Sequence, residues 1–285
     1  MSSVKSSSIR LAAKYPHSEA LLESFTPLLE AQEELAKTLT PPLLPPLDKE
    51  AFASGRAWLA DCDVADEVFL DQPFLENAPE LLCKAAAAGF PAVSEAALAL
   101  GRFLSENPEH CRELAMFHIK GNIGKVRAWS ERHGQDEPTA TLLAVHLGGA
   151  AARRVALEAA AEKLPPWSRA TCPVCGRRPH GAAIRGKEGK RWLQCSLCRH
   201  EWIFSRTTCP VCLQDDPQKT ELFFIEASQQ LRAEVCTECG HYLLCADTRE
   251  MADDMPLELL LLCMMPLDLL MQEKKFIPVP RASAL

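Results

Sequence analysis

The reading of this chain turns on residues 172–239, where four C-x-x-C pairs follow one another: Cys172-Pro-Val-Cys175-Gly, Cys195-Ser-Leu-Cys198, Cys209-Pro-Val-Cys212 and Cys236-Thr-Glu-Cys239-Gly. Two intervening residues let both thiolates of a pair turn toward one ion, and a glycine directly after can take the positive φ that such a knuckle needs. Two pairs complete a four-thiolate tetrahedron. Nineteen residues separate the first two pairs and 23 the last two, each room for a β-hairpin, with Gly-Lys-Glu-Gly-Lys at 186–190 as the turn of the first. Sequential pairing gives Cys172, Cys175, Cys195 and Cys198 as site one and Cys209, Cys212, Cys236 and Cys239 as site two. Spacing also permits cross-bracing, first pair with third and second with fourth, but only ten residues separate Cys198 from Cys209, which favours the sequential arrangement.

Nine of the 13 cysteines lie between Cys172 and Cys245, so thiol chemistry describes a region and not the whole chain of 285 residues. A redox dithiol of the thioredoxin type would sit at the start of a βαβ helix; none of these pairs does. Four thiolates leave no open position for a water, which argues against a hydrolytic metal and leaves structural or electron-transfer roles. Zinc and iron both accept this donor set. His200, His241 and Cys245 lie close after ligand pairs and are read as neighbouring groups without an assigned role. Cys62, Cys83, Cys111 and Cys263 fit apolar helical positions as small hydrophobes.

Around this region the text is different. Residues 1–166 are Ala- and Leu-rich with apolar positions at helical spacing, such as Leu21, Leu22, Phe25, Leu28 and Leu29, and predict an all-α bundle. Ser18, Asp48 and Ser94 are candidate helix caps, and the longest helix is expected over about 139–163, stopped by Pro165 and Pro166. The aromatic and branched segments Arg191–Gln194, Glu201–Ser205 and Leu222–Glu226 read as strands. One closing helix is expected over 249–273. The fold class is thus α+β multidomain: a helical domain (1–166), a first four-cysteine ribbon (167–208), a second (209–248), and a C-terminal helix and tail (249–285). Chelation is expected to unfold the ribbons and spare the helices.

The N-terminal stretch lacks the continuous apolar core of a secretory signal, and the longest apolar run, seven residues from Leu259, is far short of the roughly 20 that span a bilayer. A cytoplasmic protein without a membrane segment is expected. The net charge is −7. Residues 167–245 carry 11 basic and 8 acidic residues, but a divalent ion in four thiolates carries −2, so two ions bring the region to about −1. Counterion release on nucleic acid is then weak, and nucleic acid is not an expected partner.

The runs CPVCGRRP, RWLQCSLCRHEW, Arg206, CPVC, AEVCTECGHYL and ADDMPLELL, with the opening RLAAKYPHSEALLESFTPLLEAQ, resemble the formate dehydrogenase accessory protein FdhE family in order and spacing. The resemblance implies a non-enzymatic cytoplasmic factor that binds the formate dehydrogenase catalytic subunit, a twin-arginine exported precursor, before export. It implies rubredoxin-like knuckles holding two metal ions, iron favoured and zinc the alternative, on the eight cysteines above. Trp202, Arg206, Tyr242, Asp253 and Asp254 match the family text and are candidates for partner contact; Glu234 matches without an assigned role. Asp253 and Asp254 also suit a helix N-terminus. The tail LELLLLCMMPLDLLM departs from the family pattern. A homodimer stays open, as do two other classes: a rubredoxin-like electron carrier or reductase, and a nucleic-acid-binding zinc-ribbon protein.

Overall fold

The computed structural model describes residues 3–60, 68–225, 228–251 and 255–279. Its N-terminal half is helical: α1 (Ser3–Lys14), α2 (Glu19–Thr38), the short α3 (Lys49–Ala53), α4 (Gln72–Gly89), α5 (Ser94–Glu106), α6 (Pro108–Ile119), α7 (Val126–His133) and α8 (Glu137–Ala161). Carboxylates start three of them. Asp48 accepts the amides of Glu50 and Ala51, Asp71 that of Phe74, and Asp136 that of Thr139. Ser18 and Ser94 make no such cap: each follows or ends a 3₁₀ turn that already feeds the chain into its helix.

α1 has no counterpart in the sequence reading. Its Ser-Ser-Ser stretch is a weak helix former, and the helix is held by burial of Val4 and Leu11 and by a hydrogen bond from Thr26 of α2 to Ser8. α8 runs through the middle of the bundle. It passes α6 so closely that a Cβ on Gly148 would lie 2.8 Å from the carbonyl oxygen of Ala115. Arg154 of α8, itself buried, donates two hydrogen bonds to Asp71 and a third to the Thr40 carbonyl, which fixes the loop before α4 against the bundle.

The cysteine-rich half forms β1 (Pro179–Arg185), β2 (Lys190–Cys195), β3 (Glu201–Ile203), β4 (Thr220–Ile225), β5 (Ser228–Cys236) and β6 (His241–Asp247), followed by α9 (Leu257–Cys263), α10 (Met265–Glu273) and β7 (Ile277–Pro278). The two ribbons are not separate sheets. β1 pairs parallel with β6, Ala183 beside Ala246, and so joins two antiparallel units into one sheet of order β3-β2-β1-β6-β5-β4, with β7 on β6. The closing helix expected over 249–273 begins only at Leu257 and is broken at Met264, because Pro266 cannot continue the amide ladder of α9.

Alternation along the strands sends side chains to two cores. Ala182, Ile184, Leu193, Leu243 and Cys245 share one with the helical bundle, together with Cys172, Cys195, Cys198 and Trp202. Ala183, Leu231, Ala233, Val235, Tyr242 and Leu244 face the other, where α1, α9 and α10 cover them. The apolar tail is therefore the lid of a sheet face. The first core also crosses the expected boundary at residue 166, so the helices and the first ribbon are packed as one body.

Candidate metal centres

The structure brings together the first pair with the second and the third with the fourth. In one cluster the sulfurs of Cys172 and Cys198 are 3.6 Å apart, those of Cys175 and Cys195 3.3 Å, and those of Cys175 and Cys198 3.6 Å. In the other, Cys209–Cys239 and Cys212–Cys236 are each separated by 3.7 Å. Metal–sulfur bonds of about 2.3 Å in a tetrahedron place sulfurs about 3.8 Å apart, whereas a disulfide needs about 2.05 Å. The two clusters thus have the spacing and donor set to hold one metal ion each.

Every pair is presented by the same turn. The residue after the second cysteine takes the left-handed conformation in all four: Gly176 (φ 74°), Arg199 (φ 56°), Leu213 (φ 63°) and Gly240 (φ 70°). The amides of Gly176, Leu213 and Gly240 donate to the carbonyls of Cys172, Cys209 and Cys236. Amides inside the turn reach sulfur as well, from Leu197 to Cys195 and from Val211 to Cys209, both at 3.4 Å. Two of the four knuckles therefore use a residue that strains in this conformation.

The clusters differ in surroundings. In the first, Cys172, Cys195 and Cys198 are buried and Cys175 is half-buried; in the second, Cys212 is exposed and Cys239 half-buried. Burial pushes the Cys172 and Cys198 thiols up. Burial acts the same way on Cys195, but hydrogen bonds from Cys172, Cys175 and Cys198 outweigh it and hold that thiol well below the ordinary range. Around the second cluster burial raises Cys239 to about 12, while at Cys212 burial acts the same way but is outweighed by hydrogen bonds from the Gln214 amide and the neighbouring thiols, which lower it. An ion entering either cluster displaces whatever protons its thiols carry.

The first cluster is wired into the helices. The amides of Trp58 and Leu59 donate to the carbonyls of Pro173 and Val174, so the turn after α3 lies along the first knuckle. Arg177 donates to the Ile119 carbonyl at the C-terminal end of α6 (2.7 Å), a good place for a cation. Arg199 bonds Gln32 of α2 and pairs with Glu258 of α9 at 3.4 Å.

Between the clusters lies a charge network. Glu234 of β5, nearly buried, accepts from Arg191 of β2 at 3.1 Å and from Arg232 at 2.9 and 3.1 Å; Arg191 also donates to the carbonyls of Arg206 and Thr208, the latter directly before Cys209. The sequence reading left Glu234 without a role. The available signal was the Arg232-x-Glu234 step interleaved with apolar Leu231, Ala233 and Val235, where the charges share one face.

The remaining candidates are dispersed. Trp202 is buried and donates to the Arg169 carbonyl, and Tyr242 is buried with its hydroxyl on Asp268 at 2.6 Å. Both rings are packed inside the fold. Arg206 is exposed. Asp253, Asp254 and Cys62 lie outside the described residues. His200, His241 and Cys245 belong to neither cluster, and Cys83 and Cys111 are core residues whose thiols burial raises to about 12.

Residues 171–206, which span the whole first cluster, match the family described as FdhE, central domain. Over that stretch the chain is similar to FdhE proteins. It is 31% identical over 118 residues to the FdhE homologue of Aquifex aeolicus, a stretch covering 40% of this chain and 41% of that relative. To the FdhE homologue of Shewanella sp. (strain MR-4) it is 42% identical over 74 residues, 25% of this chain and 24% of the other. The matched stretches are thus less than half the length of these curated FdhE relatives. The crystal structure of the FdhE protein from Pseudomonas aeruginosa superimposes with a TM-score of 0.69 at 23% identity, covering 98% of this chain and 94% of that one. The FdhE fold therefore extends over the helices and both ribbons. No described helix is long and apolar enough to cross a membrane.

Proposed function

We propose that the protein is a non-enzymatic assembly factor for formate dehydrogenase. It binds the catalytic subunit in the cytoplasm, before export of that twin-arginine precursor, through the ribbons and the adjoining helical face. The observation that carries this reading is the pair of closed four-thiol clusters. With all four positions filled by sulfur from Cys172, Cys175, Cys195 and Cys198, or from Cys209, Cys212, Cys236 and Cys239, a bound ion has no site left to activate water or substrate. Such an ion, iron by family resemblance or zinc, fixes the loops. The surface that those loops present near the second cluster includes exposed Leu213, Leu222 and Phe224, the last two on the edge strand β4. Exposed apolar side chains on a sheet edge suit an extended segment of a partner chain.

The test is a pull-down of the formate dehydrogenase catalytic subunit by the metal-loaded protein, compared with Cys172→Ala, Cys209→Ala and Leu222→Asp/Phe224→Asp. Retention by wild type and loss in the variants is expected. No retention by wild type overturns the proposal.

A second reading rests on the exposure of Cys212. A cluster open to solvent on one side suits electron exchange if its ion is iron. Thiolate-to-iron charge-transfer bands that bleach and return on reduction and reoxidation of anaerobically purified protein would favour it; a colourless zinc protein would remove it.

A further inference from the structure

A separate set of ligating side chains lies in the helical half. His110 and Glu113 stand three residues apart on α6, hence on one face, and His133 is the last residue of α7. One donor atom from each lies within 4.8 Å of the others. The imidazoles of His110 and His133 are 4.3 Å apart between centroids. Phe103 stacks on His110 at 5.3 Å and Trp129 packs on His133 at 4.9 Å, so both rings are held by aromatic neighbours.

Two observations point to a ligand. The Nε2 atom of His133 is buried and bonds nothing in the protein, a costly state for a polar atom. Glu113 supplies the negative charge, and Arg132, 3.7 Å from it, has a largely exposed side chain that can turn to solvent.

We propose that His110, Glu113 and His133 form a third metal site, for a borderline divalent cation such as zinc, cobalt or nickel. Imidazole and carboxylate suit that class. Bonds of about 2.0–2.2 Å place donors about 3.3 Å apart in a tetrahedron, so small side-chain rotations close the present spacing. Three protein ligands leave the ion at least one open position, unlike the thiol clusters, so this site exchanges and accepts a further ligand.

The experiment uses the full chain with both thiol clusters filled by zinc, titrated with cobalt(II) and followed by visible absorption and elemental analysis. One further equivalent is expected, with weak ligand-field bands and no thiolate charge transfer. His110→Ala and His133→Ala should weaken it by at least about 10-fold, given the 10–100-fold sensitivity of metal sites even to supporting groups. Glu113→Gln, a surface change that spares the packing, should weaken it too and decides the case if either histidine variant misfolds. Absence of a third equivalent in wild type, cobalt seen only with thiolate charge transfer, or equal uptake by the Glu113→Gln variant overturns the proposal.

Discussion

Replacement of Glu234 by alanine tests whether the two ribbons are held together by charge. In the native protein this carboxylate compensates two guanidiniums, and the side chains of Arg191, Arg232 and Glu234 are 4%, 9% and 9% exposed. Its removal leaves Arg191 with backbone carbonyls and the face of Phe204 but no counter-charge, and Arg232 with Asp247 at 3.9 Å, a carboxylate already engaged by Arg249 at 2.6 Å. Breaking a buried pair by deleting one partner costs about 3–5 kcal/mol, because a charge stays behind without water or counter-charge. In a chain of this size, about 2 °C per kcal/mol, the thermal midpoint of metal-saturated protein should fall by about 6 °C or more. Arg191 also steadies the Thr208 carbonyl beside Cys209. A chelator should therefore strip the second cluster faster from Glu234→Ala than from wild type. Substituting all three residues by apolar side chains of similar volume should recover most of the midpoint, since an apolar set carries no desolvation penalty. A Glu234→Ala midpoint within about 1 °C of wild type would refute the reasoning.

Chelator challenge of the native protein should be biphasic: the second cluster, with Cys212 exposed, loses its ion first with little change in far-ultraviolet circular dichroism, and the first releases later with loss of helix signal, because its cysteines share a core with the bundle. Simultaneous release, or late release with helicity intact, would contradict this. Leu213→Gly should slow metal loss from the second cluster, since relief of left-handed strain of about 1–2 kcal/mol exceeds the roughly 0.5–1 kcal/mol entropic cost of glycine and the exposed side chain gives up little contact. His146, buried with its Nδ1 on the Gln32 amide, has its pKa lowered from 6.5 to about 3 by burial and by Arg199. The unfolded chain takes up that proton first, so this contribution is complete above pH 6.5 and is lost as pH falls toward 3; the decline of the thermal midpoint across that window should be shallower in His146→Gln.

What the sequence made legible follows from what is local. The C-x-x-C knuckles, the turn at 186–190 and the long helix ending before Pro165 are each set by residues a few positions apart, and each stands in the structure where the text puts it, α8 at Glu137–Ala161. Relations between distant segments were not legible. Nothing in either ribbon announces that β1 and β6 pair in parallel, because both are short apolar strands that could equally be edges. The helix α1 hides behind three serines that only tertiary burial makes helical. Trp202 and Tyr242, which match the family text, are buried: a residue's identity in a motif does not say which way it faces.

The same distinction bears on how the metal sites act. Had the ribbons been independent, filling either cluster would have organised only its own loops. In the observed arrangement Cys198 is followed by Arg199, whose half-buried guanidinium meets Gln32 on α2 and Glu258 on α9, while Gln32 in turn meets His146 on α8. A change at the first cluster is therefore felt by three helices on both sides of the sheet. The second cluster communicates through Arg191 and Glu234 to the same sheet, yet keeps one sulfur at the surface. The two clusters have the same donor set and unequal surroundings: the first is packed into the body of the molecule, and the second sits at the exposed edge, near the exposed Leu213, Leu222 and Phe224. Loss of the first ion should abolish any partner binding through global loosening, and loss of the second should abolish it with the helical body intact. Comparing the circular dichroism of Cys172→Ala and Cys209→Ala beside their pull-down results separates those two routes.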